Sequence, residues 1–143
     1  MKITCPLLLT VGVLVVGATT GAAEKPKILI GKKVGVPKSE FHNYQHIADE
    51  LARLMSRGRQ SLLVVTSIIE VKVKIVAGSF IWIKILVTES DCRPGTRQSE
   101  CKILLCAPFY ICKAKIFEDW TQTKFLSKHC NFHDGVKGQR KRC

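Results

Sequence analysis

Acidic residues are scarce in this chain: 11 aspartates and glutamates stand against 23 lysines and arginines in 143 residues, a formal net charge of +12. No convincing set of paired carboxylates emerges, which removes the usual apparatus of general acid–base catalysis. A glycine-rich phosphate loop at a strand-to-helix turn is missing, as is a nucleophile elbow, so the sequence gives catalysis little support. There is no internal repeat, no low-complexity tract and no long linker, and this length accommodates one domain. After residue 23 no apolar run is long and uncharged enough to cross a bilayer, because Lys72, Lys74 and Lys84 interrupt the richest region.

What is present begins with a targeting segment. Lys2, the apolar stretch from Pro6 to Val16 and the small residues Gly21-Ala22-Ala23 form the pattern of a secretory signal peptide over residues 1–23, and the stretch is too short for a membrane anchor. A secreted, extracellular product is expected. Its removal takes away Lys2 and Cys5 and leaves six cysteines, an even set that in an oxidising compartment reads as disulfides. Basic residues still outnumber acidic ones two to one. Such a surface attracts anionic partners in a salt-sensitive way, or only keeps the protein soluble.

Phe41, Tyr44, Ile47, Ala48, Leu51, Leu54 and Met55 recur at three- and four-residue steps, one face of an amphipathic helix. Ser39 is expected to cap it, Glu40 lies in its first turn, and Gly58 supplies a left-handed residue to end it. From Leu62 the period changes to two. Val65, Ile69, Val71, Val73 and Ile75 fall on one side, with Thr66, Glu70, Lys72 and Lys74 on the other. Phe80 to Glu89 repeats the alternation, so a β-hairpin turning at Ala77-Gly78-Ser79 is expected. After a cysteine-bearing loop, Phe109 to Glu118 and Thr123 to Cys130 form a second hairpin joined near Asp119-Trp120. The class is α+β, one helix against an antiparallel sheet of four to five strands.

Lys74-Ile75-Val76-Ala77-Gly78 resembles the Gln-x-Val-x-Gly signature of the cystatin superfamily, and the order of elements from about Gly35 to Cys130 is similar to that of a secreted type 2 cystatin. Val34-Gly35 resembles the family's N-terminal glycine. Trp120 stands where the second hairpin carries Pro-Trp, and the runs from Val87 to Cys92 and from Cys112 to Trp120 resemble tick salivary cystatins. The resemblance implies an inhibitory arm (24–38) and a cystatin domain (39–130), and the end of the chain, too poor in apolar residues from Gly135 to Cys143 to pack, is expected to be a basic, mobile tail (131–143). The resemblance also implies disulfides between Cys92 and Cys101 and between Cys112 and Cys130. Cys106 and Cys143 are left to bridge each other or to pair between chains, and Cys101 and Cys106 could exchange roles.

The implied activity is reversible, competitive inhibition of papain-like cysteine proteases by a monomer without cofactor or metal. Gly35, Lys74, Ile75, Val76, Ala77, Gly78, Asp119 and Trp120 would form the contact surface. Two residues depart from the pattern: Lys74 replaces the signature glutamine and Asp119 the proline before the tryptophan. Residues 56–61 lack the Ser-Asn-Asp motif for legumain inhibition. The alternative is a cystatin fold that has lost inhibition and binds anionic surfaces, or acts in host defence, through Lys137, Arg140, Lys141 and Arg142. Neither a specific nucleic-acid partner nor a transmembrane anchor is expected. Cys130 with His133, and His42 with His46, have ligand-like spacings, which disulfide bonding and exposed helix positions explain better.

Overall fold

Because the apolar residues repeat first at helical and then at strand spacing, the chain folds as one helix followed by a meander of long strands. The computed structural model describes residues 30–133; the expected signal peptide, the start of the arm and the tail residues from 134 onward, Cys143 among them, lie outside the described residues. Strand β1 (Val34–Gly35) leads through a 3-10 turn (Lys38–Tyr44) into α1 (Gln45–Met55), followed by β2 (Leu63–Val76), β3 (Gly78–Glu89), β4 (Phe109–Glu118) and β5 (Thr123–Phe132). The five strands form one antiparallel sheet in the order β1-β2-β3-β4-β5.

The helix lies across one face. Ile47, Ala48, Leu51 and Ala52 are buried against Leu63, Val71, Ile81, Ile83, Ile85, Val87, Ala114 and Ile116. Phe41 and Tyr44 also pack on this core, although they belong to the 3-10 turn and not to the α-helix the spacing predicts. Ser39 does not cap: the turn is entered from Pro37, whose extended backbone (φ −61, ψ 147) brings no side-chain oxygen to the first amides. Gly58 takes φ +79 just past the helix end, as expected. Ser56, fully buried, joins helix to sheet. Its hydroxyl donates to the Ala52 carbonyl (2.7 Å) and accepts from the Leu63 amide (2.8 Å), two bonds each worth about 1 kcal/mol net.

In β2 the predicted alternation holds at both ends and fails in the middle. Val65 pairs with Val87, Ser67 with Leu86, Ile68 with Ile85 and Glu70 with Lys84, so Thr66 and Ile69 are extra residues at two bulges. Ile68, not Ile69, therefore packs on the core. Each bulge changes which sequence parity faces inward, and the second restores what the first reversed, so Val71 and Val73 point where simple alternation put them. At the other end of the sheet, β5 runs to Phe132 and His133 donates its amide to the Phe109 carbonyl (2.8 Å), so the ordered strand extends past the tail boundary set at residue 131.

Two disulfides are in place among the described residues. Cys92 is bonded to Cys101 in the loop after β3, and Cys112 to Cys130 across β4 and β5. Cys106 is also disulfide-bonded. The Cys130 sulfur is thereby committed and unavailable as a partner for His133.

Candidate functional site

Three segments reach the same end of the sheet. In the first hairpin Val76 pairs with Gly78, leaving Ala77 alone at the crest. So tight a reversal needs a residue at positive φ, and Gly78 has φ +113. A β-carbon there would lie 2.8 Å from Phe117 Cζ and 3.0 Å from the Glu118 carbonyl oxygen. Glycine at this position is thus required from within: the end of β4 occupies the space a side chain would need. Val76 and Ala77 are left exposed at the tip.

The second hairpin turns through residues 119–122 beside the first, as the pairing of Ser79 with Glu118 shows. Asp119 organises it. Its Oδ1 accepts from the Thr121 amide (2.7 Å), the Thr121 hydroxyl (2.6 Å) and the Gln122 amide (3.0 Å), while its own amide donates to the Gln122 carbonyl (3.0 Å). An acid that binds its own turn replaces, by hydrogen bonding, the rigidity that a proline ring would give. Trp120 is pushed outward, 96% exposed, with no aromatic or cation–π contact among the described residues.

The bonds from the Thr121 side chain and amide, then that from Gln122, hold the Asp119 carboxyl below its ordinary value of 3.8. The sign follows: ordering by Asp119 is complete above that ordinary value and is lost as pH falls through the lowered one. Between pH 7 and pH 5 the Thr121 and Gln122 amide resonances should stay fixed, and below the ordinary value they should shift together. Movement of these resonances between pH 7 and pH 5 would remove Asp119 as the organiser of the loop.

The arm supplies the third segment. Val34 and Gly35 pair with Val73 and Lys72, and the Gly31 amide donates to the Ile75 carbonyl (2.8 Å). Gly35 is thus four residues short of Val76, about 13 Å at strand spacing, and its backbone makes no special demand for glycine. Gly31, at φ +80, is the glycine beside the hairpin tip. Sequence inspection missed it because both glycines precede the helix and only pairing register separates them. Lys74 is likewise not at the crest; it pairs with Phe80 on the face of the sheet away from the helix.

No protein-family model and no curated protein sequence matches the chain. Solved structures do. Dimeric human cystatin F superposes with a TM-score of 0.64 at 13% identity, covering 82% of this chain and 99% of its own. A salivary cystatin from the soft tick Ornithodoros moubata gives 0.63 at 21% identity, covering 72% and 99%. Mialostatin, a gut cystatin from the hard tick Ixodes ricinus, gives 0.59 at 20%, covering 72% and 100%. This chain has the cystatin fold.

Within that cystatin fold the first hairpin, the Asp119–Gln122 turn and the Gly31 end of the arm form one edge. Of the residues singled out from sequence, Val76, Ala77, Gly78, Asp119 and Trp120 are gathered there, Ile75 adjoins it through its bond to Gly31, and Gly35 and Lys74 are set back along the sheet. Phe117, which the sequence did not single out, is the ring against which Gly78 is seated. Among the described residues no group of three or more His, Cys, Asp or Glu side chains is placed to hold a metal ion, and no helix is long and apolar enough to cross a membrane.

Proposed function

We propose that the chain is a secreted, monomeric, non-enzymatic inhibitor of papain-like cysteine proteases, acting as a three-part wedge pressed into the active-site cleft. Supporting this reading is the convergence of an exposed Val76-Ala77 crest, an outward Trp120 and the arm at one edge of a cystatin fold. The wedge comprises the arm from Gly31 to Gly35, the segment from Lys74 to Gly78, and Asp119 with Trp120. It works by occupation: backbone at the narrow crest blocks the cleft while the indole covers one flank. Both loops are fixed before binding, one by the seat of Gly78 on Phe117 and Glu118 and the other by Asp119, which limits the ordering cost of association.

Titration of papain and several lysosomal cysteine proteases with the refolded chain should give competitive inhibition in the nanomolar range, the regime of well-organised protease–inhibitor interfaces. Absence of inhibition at micromolar concentrations by folded protein would overturn the proposal.

A further inference from the structure

The face of the sheet away from the helix carries a lattice of lysines over aromatic rings, of which the inhibitor reading takes in only Lys33 and Lys74 at one border. Strand pairing arranges it in rows: Lys74 opposite Phe80 and Phe117, Lys72 opposite Trp82 and Lys115, and Glu70 opposite Lys84 and Lys113. Lys33 reaches the same face from the arm, its Nζ 3.9 Å from the centre of the Trp82 ring. Lys115 extends its Nζ over Phe80 (5.1 Å) and Trp82 (5.6 Å). With Lys124, which β5 places opposite Phe117, seven ammonium groups share a face on which Glu70, ion-paired with Lys72, is the acidic member of the rows. At strand spacings of about 4.8 Å across the sheet and about 6.8 Å between alternate residues, the charges repeat in two directions.

From this arrangement we infer that the helix-free face binds a sulfated polysaccharide. A repeating array matches a linear polymer bearing an anionic group every few ångströms, where one isolated phosphate would engage only a corner of it. The rings favour this occupant over single-stranded nucleic acid. Trp82 and Phe80 lie beneath lysine ammonium groups, which occupy the positions that stacked bases would need. A lipid surface fits less well, since the rings of this face are half-buried and the strongly exposed apolar side chains, such as Leu105 and Trp120, belong to loops. Lysine offers a hydrated point charge without arginine's bidentate fork, so the attraction is electrostatic and falls with salt.

Heparin affinity measured across a salt series tests the inference without any protease present, so its outcome is separate from that of the inhibition assay. For the intact protein, the logarithm of the binding constant should fall steeply with the logarithm of salt. K84Q/K113Q/K115Q should reduce that slope by about two to three, close to one per removed contact, whereas K84R/K113R/K115R should retain it. Deleting residues 134–143 should leave most of the slope. A second readout leaves the lysines untouched: in Trp120→Phe, Trp82 is the remaining tryptophan, and its emission should change on adding heparin but not de-sulfated heparin. The inference is overturned by an unchanged slope in the folded glutamine variant, by loss of binding on tail deletion alone, or by a silent Trp82. Tighter binding of single-stranded DNA or phosphatidylserine vesicles than of heparin at equal salt would overturn it too.

Discussion

Replacing Gly78 by alanine should destabilise the protein by about 2–6 kcal/mol in chemical denaturation and weaken protease inhibition with it. Two costs add. Holding an L-residue at φ +113 costs about 1–3 kcal/mol, and forcing a methyl group into packed surroundings costs a similar amount. The second cost has an identifiable source, Phe117 Cζ and the Glu118 carbonyl. Combining Gly78→Ala with Phe117→Leu should recover part of the stability, because the ring can be removed while the carbonyl and the backbone angle cannot. Wild-type stability in the single variant would mean that the tip of β2 and β3 is not seated on β4. The expected fall in inhibition has the same origin, since the two hairpins are held in register by this contact.

Trp120→Ala should behave in the opposite way. Its side chain is almost wholly exposed, so the unfolding free energy should change by less than about 0.5 kcal/mol. The inhibition constant should nevertheless rise by at least about 30-fold, the consequence of losing an aromatic anchor worth about 2 kcal/mol or more. Measuring both quantities on one preparation separates a contact residue from a folding residue. An unchanged inhibition constant would remove the second hairpin from the wedge.

Much of this architecture is legible in the sequence because burial leaves a periodic trace. The three- and four-residue recurrence from Phe41 to Met55 marks the helix face, and Ile81, Ile83, Ile85 and Val87 mark the buried side of β3 without ambiguity. The errors fall where the trace is interrupted. Two extra residues in β2 leave no compositional mark, since Thr66 and Ile69 are both good strand formers, so Ile69 is assigned the place that Ile68 holds. The 3-10 entry to the helix keeps enough of the apolar spacing at Phe41 and Tyr44 to pass for α-helix. At the candidate site, Gly78 and Trp120 are visible as residue types, but their neighbours are not. That Phe117 lies under the glycine depends on pairing between strands 39 residues apart, and no local pattern reports it.

The two bulges also decide where this protein can lose a residue. Thr66 and Ile69 have no opposite number in β3, so excising either would close the ladder around the gap and leave every other pair of the hairpin as it is. What would change is the bend of β2, and with it how closely the strand follows the helix. Excising a residue between Val71 and Val76 is another matter: a one-step slip there turns lysines toward the core and valines toward solvent, or else shortens the crest. Deletions within a single strand therefore divide into those that alter curvature and those that exchange inside for outside, and the boundary between them lies near Glu70.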